Sequence, residues 1–148
     1  MNINIKRINN RAKIPTRGSE YSAGADLYAC LDEGIEELNI KPGETVMIHT
    51  GIAAEIPVGY AGLIYARSGL AAKKGLAPAN KVGVVDSDYR GEFMVALHNH
   101  SSQVQSISDG ERIAQLVVTP FLPVEFVEVK ELSDTVRGEG GFGSTGTK

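Results

Sequence analysis

Tryptophan is absent from the 148 residues, and Cys30, the single cysteine, has no partner for an internal disulfide. The fold must therefore be held by packing and hydrogen bonds alone. No apolar run approaches the ~20 residues that a membrane-spanning helix needs. A basic excess is also missing: the formal net charge is -3, which gives no electrostatic reason to expect nucleic acid or an acidic membrane as partner. The opening MNINIKRINN lacks the apolar core of a signal peptide, so the expected location is the cytoplasm or an equivalent compartment. No internal repeat is present. The length suits one domain with a real core.

What the chain does have is glycine, seventeen of them, set between short β-prone runs. Asn2 to Ile8 reads as a first strand and Ile14 to Ser19 as a loop, since proline biases its predecessor away from helix. Ser22 to Cys30 leads into a strand that contains Asp26, a residue type depleted in strands and so in need of a partner or a purpose. Ile35–Ile40 and Thr45–His49 flank Lys41-Pro42-Gly43-Glu44, whose Pro-Gly suits a type II turn and predicts a hairpin. Gly51–Ile56, Tyr60–Ala66, Gln103–Ile107, Arg112–Pro120 and Val124–Val129 are further strands. This spacing predicts an all-β sandwich or barrel, not alternating β and α units.

One segment departs from that pattern. Ser68 can cap a short helix through Leu70 to Lys74, and Gly75 can end it. Its first turn, beside Arg67, offers unpaired N–H groups that suit an anion. Gln115 interrupts the aliphatic run 112–120, where its amide needs a hydrogen-bond partner from backbone or ligand. Residues 133–148 are too polar and glycine-rich to pack alone and read as a mobile tail behind a core of residues 1–132. The tail matches GxGxxG twice, at Gly138–Gly143 and Gly141–Gly146, but no strand leads through it into a helix, so a dinucleotide site is rejected. His98 and His100 would share a strand face without a third metal ligand at suggestive spacing.

The centre of the chain is Lys81 to Asn99. A Val-rich run, Val82 to Val85, ends at Asp86; polar residues through Gly91 follow, and Phe93 to Leu97 resumes an apolar run. Two such runs around a polar, Gly-containing break predict a hairpin with Asp86 where its first strand ends. A carboxylate there either forms the turn or serves chemistry from a rigid frame.

Five stretches, Ala23–Cys30, Ala66–Ala71, Gly83–Glu92, Gly110–Val117 and Arg137–Gly146, resemble in order the motifs of the trimeric all-β dUTPase family. That resemblance implies a jelly-roll-like subunit with one short helix and a flexible C-terminal tail, and a homotrimer whose active sites are shared between chains. It implies hydrolysis of dUTP to dUMP and pyrophosphate with Mg²⁺, which keeps uracil out of DNA and supplies dUMP for dTMP synthesis. Asp86 matches the aspartate that activates water. Asn80 and the strand Val82, Gly83, Val84 and Val85 match the uracil-reading hairpin, Tyr89 the aromatic under the deoxyribose, and Phe142 the ring stacked over uracil. Arg67, Ser68, Gly69, Gln115, Arg137, Gly143, Ser144 and Thr145 match phosphate contacts. Asp26 matches an acidic residue that meets Mg²⁺ through its water shell, the triphosphate holding the metal.

Two rivals remain. A dCTP deaminase-related enzyme shares the fold, but resemblance places its catalytic glutamate where this chain has Ala96, and its Arg-Ser-Ser where this chain has Arg67-Ser68-Gly69. A catalytically inactive dUTP-binding regulatory module would have no use for an intact Asp86, Gln115 and tail.

Overall fold

The computed structural model describes residues 1–141. Twelve strands and one helix follow one another: β1 (Ile5–Arg7), β2 (Thr16–Arg17), β3 (Ala25–Tyr28), β4 (Glu37–Ile40), β5 (Thr45–His49), β6 (Ile52–Ala54), β7 (Tyr60–Ala66), α1 (Ser68–Lys74), β8 (Leu76–Pro78), β9 (Val82–Val85), β10 (Met94–Asn99), β11 (Gln105–Ser108) and β12 (Arg112–Pro120). They form a five-stranded sheet in the order β2-β3-β12-β7-β9, a three-stranded sheet β5-β10-β8, and the pairs β1-β6 and β11-β4, with every pairing antiparallel. The fold is all-β and jelly-roll-like.

Alternation decides which faces meet. Along β10, Val95, Leu97 and Asn99 turn inward, and from β12 Ile113 and Leu116 are buried. Phe93 is the largest of the fully buried side chains; burying such a ring contributes about 1.5–3 kcal/mol. Asn99 enters this core without penalty because its amide is satisfied. Its Nδ2 donates to the carbonyls of Ile40 at 2.9 Å and Gln103 at 2.8 Å, and its Oδ1 accepts from the N–H of Ser101.

Both hairpins expected from the sequence are absent. The Lys41–Glu44 turn forms, with Gly43 at φ 74° and the Glu44 N–H on the Lys41 carbonyl, yet β4 pairs with β11 and β5 with β10. Likewise β9 pairs with β7, and β10 with β5 and β8. Each connection is a corner that carries the chain between sheets, since every strand must bury one face against a different layer.

Smaller corrections follow the same logic. Thr16–Arg17, expected in a loop, adds a two-residue edge strand. Ser68 does not cap α1: Arg67 holds the N-cap position without a side-chain bond, and Ser68 is the first helical residue. Gly75 ends the helix as expected, at φ 67°. Val124–Val129 forms no strand; its residues are all exposed, Phe126 to 94%. Among the described residues no helix is long and apolar enough to cross a membrane.

Candidate active site

A cleft of about 260 Å³ runs along β9 and is lined by Asn80, Gly83, Val84, Val85, Asp86 and Tyr89, among others. Its floor is backbone. Gly83 carries no Cβ, and one placed there would meet Ile64 Cβ at 3.3 Å and Asn80 Nδ2 at 3.4 Å. The Asn80 amide thus lies over Gly83, delivered by a tight turn in which the Lys81 N–H donates to the Pro78 carbonyl and Lys81 adopts φ 65°. A left-handed lysine costs about 1–2 kcal/mol, so the packing around this turn holds it there. Pro78, lacking a donor, ends β8, which is an edge strand.

Asp86 follows the last residue of β9 and opens the turn 86–89, closed by the Tyr89 N–H on the Asp86 carbonyl at 3.2 Å. Its carboxylate is exposed to the cleft and accepts no hydrogen bond from the described residues. Tyr89 is 42% exposed, stacks on Phe93 at 6.4 Å between ring centroids, and donates its hydroxyl to the Glu92 carbonyl at 3.0 Å.

Glu92 and Gly91 shape this region, and no local pattern signals their roles. Glu92 Oε1 accepts the Gly51 N–H at 2.7 Å and its Oε2 bonds His49 Nδ1 at 2.9 Å. Such partners, 41 and 43 positions away, leave no local pattern to read. On the far side of Glu92 a larger cleft of about 520 Å³ is lined by Asn9, Cys30, Asp32 and His49; it holds none of the residues expected at the site.

Arg67 stands in a second cluster. Its Nε donates to Asp26 Oδ1 at 2.7 Å, and Arg112 Nη1 donates to Asp26 Oδ2 at 3.3 Å. Asp26, 5% exposed, has found the partners its place in a strand demanded. Gln115 lies opposite Asp26 in the β3–β12 ladder, and its side chain crowds Gly24, where a Cβ would meet it at 3.2 Å. Its amide makes no hydrogen bond within the described residues, so the partner expected for it is not among them. Ser68 and Gly69 open α1, and nothing lies within 4 Å of the Gly69 Cβ position.

A family model described as dUTPase matches residues 10–146. The deoxyuridine 5'-triphosphate nucleotidohydrolase of Nautilia profundicola is 50% identical over 146 residues, covering 99% of each chain. That of Hydrogenobaculum sp. is 47% identical over the full length of both. The chain belongs to the dUTPase family. Among solved structures, Staphylococcus bacteriophage 80alpha dUTPase with dUpNHpp superposes with a TM-score of 0.88 at 29% identity, over 98% of each chain.

Within this dUTPase chain the expected residues fall into two groups that do not meet. The β7–β9 ladder runs from the pair Tyr65↔Val82 to the pair Gly62↔Val85. Asp86 leaves one end, and Arg67 lies beyond the other. The six intervening residue steps span roughly 20 Å at ~3.3 Å each. Arg67 then reaches still farther away, across β12 to Asp26 on β3. One triphosphate cannot touch both ends. Arg137 is exposed and donates its Nε to the Gly140 carbonyl at 2.8 Å, whereas Phe142, Gly143, Ser144 and Thr145 lie outside the described residues.

Proposed function

We propose that this chain hydrolyses dUTP to dUMP and pyrophosphate as a homotrimer, each active site drawing residues from all three chains. The observation that carries the reaction is the Asp86 carboxylate, without a hydrogen-bond partner among the described residues, at the end of a cleft whose floor is strand backbone. The Asn80 amide and the β9 backbone present hydrogen-bonding groups suited to a uracil edge. A cytosine in that place would leave buried groups unpaired, which discriminates strongly. Tyr89 supports the deoxyribose and leaves no room for a ribose 2′-hydroxyl.

Asp86 accepts a proton from the attacking water. The water oxygen bonds to the α-phosphorus, the bond from that phosphorus to the bridging oxygen breaks, and pyrophosphate departs. Little else is asked of the protein beyond positioning and charge neutralisation. Arg67, Ser68, Gly69 and Gln115 serve the phosphates, and the tail residues Arg137, Gly143, Ser144 and Thr145 complete the clamp, with Phe142 over the base. Closure of that tail excludes water from the phosphates.

Two observations support the trimer. Asp86 and Arg67 are too far apart in one chain to serve one nucleotide, so each requires its counterpart from another copy. The segment 121–129 also exposes Phe121, Leu122, Val124, Phe126 and Val127 together, apolar area that a neighbouring copy would cover.

Magnesium is the expected cofactor. No group of three or more His, Cys, Asp or Glu among the described residues could cage it, and both Asp26 oxygens already accept from arginines. These residues fit a metal held by the triphosphate, which Asp26 would meet only through bound water. Mg²⁺ held in this way neutralises phosphate charge and keeps several waters.

The test is pyrophosphate release from dUTP, dCTP, dTTP and UTP, each with Mg²⁺. Release from dUTP alone, lost in Asp86→Asn, is expected. Ammonia from dCTP would instead indicate a deaminase, for which Ala96 offers no acid. Binding of dUTP without turnover would indicate a regulatory module.

A further inference from the structure

We infer that Glu92 is a positioning residue of the active site, setting the Tyr89 ring and the Asp86 turn by clamping their loop to the β5–β6 corner. Tyr89 and Asp86 both lie on the connection 86–93, in which the hydrogen bonds of residues 86–91 among the described residues stay within the connection. Arg90 Nη1 donates to the carbonyls of Ser87 at 2.7 Å and Tyr89 at 3.0 Å, and the Tyr89 N–H closes on Asp86. Such bonds shape the loop without fixing it to the body. Arg90 and Glu55 approach only to 3.9 Å, and both are more than half exposed; a pair of that kind contributes little.

Glu92 is the strong tether. Its carboxylate is mostly buried, with 20% of the side chain exposed, and holds the Gly51 N–H and His49 Nδ1 at 2.7 and 2.9 Å. Bonds from donors to a carboxylate are about twice as strong as neutral ones. Gly51 is fixed in turn: it adopts φ 68°, and a Cβ there would meet Ala12 and Cys30. The Glu92 carbonyl also receives the Tyr89 hydroxyl. Glu92 therefore grips the body with its side chain and the aromatic with its backbone, two positions before β10 begins at Met94. Phe93 supplies the stack under Tyr89 and is itself held by its N–H on the Ile52 carbonyl at 2.9 Å. Glu92 also lines the Asp86 cleft and the larger cleft behind it. It forms the partition between them.

The clamp itself stands on geometry; its effect on sugar selection rests on the reading of Tyr89 given above. Hydrogen exchange of residues 86–93 reads the clamp without any nucleotide. Faster exchange confined to that loop in Glu92→Ala is expected, and unchanged exchange overturns the inference. In kinetics, Glu92→Ala should lose about tenfold or more in kcat/KM for dUTP, in the range that small misplacements cause, and should narrow the gap between dUTP and UTP. Glu92→Gln should restore most of both, because its amide can still accept from Gly51 and donate to an unprotonated His49. If Glu92→Ala fails to fold, His49→Ala removes one of the two bonds to the Glu92 carboxylate and should give an intermediate effect. Tyr89→Ala separates the two readings. If it leaves sugar discrimination intact, the assignment of Tyr89 is wrong, and the clamp is judged on exchange alone. If it abolishes discrimination while Glu92→Ala preserves it, the positioning role of Glu92 is overturned.

Discussion

Tyr89 lies so close against Gly91 that a Cβ at position 91 would stand 2.9 Å from Cε2 of its ring. The glycine is there for approach, since its backbone is not among the positive-φ positions. In Gly91→Ala the exposed ring moves aside more readily than the backbone. We expect a small change in melting temperature but about a tenfold loss in kcat/KM for dUTP, with weaker rejection of UTP. Steady-state kinetics on both nucleotides, alongside a thermal melt, check this. An unaltered kinetic profile would mean that ring placement is irrelevant.

Asp86→Asn should be a clean lesion. The carboxylate is exposed and makes no hydrogen bond within the described residues, so unfolding midpoints should match wild type. Loss of a general base predicts a fall of ~10²–10⁴-fold in kcat. Turnover near that of wild type would remove Asp86 from the mechanism.

Arg67→Ala strips the closer of two arginines from a carboxylate that is only 5% exposed. Breaking a buried pair costs about 3–5 kcal/mol, and the remaining Arg112 contact at 3.3 Å places the expectation at the lower end. Adding Asp26→Asn should recover much of that stability while leaving the enzyme inactive. Urea unfolding at one protein concentration, paired with an activity assay, separates the structural role of Arg67 from its phosphate role.

Deleting Arg137 to Lys148 should leave an assembled enzyme with much lower turnover, because the clamp goes and the apolar segment 121–129 stays. Removing everything after Pro120 should also dissolve the assembly. Sedimentation velocity on both truncations distinguishes a closing segment from a structural one.

Burial pushes the Cys30 thiol above its ordinary 9.0, with Arg11 pulling the other way. A pKa raised in the folded state contributes stability that is fully present below 9.0 and is lost as the pH climbs past the folded value. The unfolding midpoint should therefore begin to fall above pH 9.0. Iodoacetamide at about pH 8 should label Cys30 slowly in the native protein and readily in urea.

Much of the architecture could be read from local pattern, because local pattern is what forms β12 over Arg112–Pro120 and α1 up to Gly75. Partner choice could not. The Lys41–Glu44 turn forms where its Pro-Gly dictates, yet the strands on either side leave for different sheets; turn chemistry sets a local bond and says nothing of which layer needs a strand. Val124–Val129 has the composition of a strand and no strand partner among the described residues. Sequence recorded the propensity but not what would satisfy it. At the site, Asp86, Tyr89 and Arg67 stood out because their motifs are contiguous. Glu92 did not, since its partners Gly51 and His49 are brought to it only by folding.

On the proposed shared site, the roughly 20 Å between the Asp86 end and the Arg67 end of the β7–β9 ladder would tie chemistry to association. A subunit diluted to solitude would hold half of two different sites and turn over nothing, so specific activity should collapse below the dissociation range even while the fold persists. It also makes the subunits mutually correcting. Preparations carrying Asp86→Asn and Arg67→Ala, each inert alone, should regain activity once their chains are exchanged, because some mixed sites then receive an intact half from each parent.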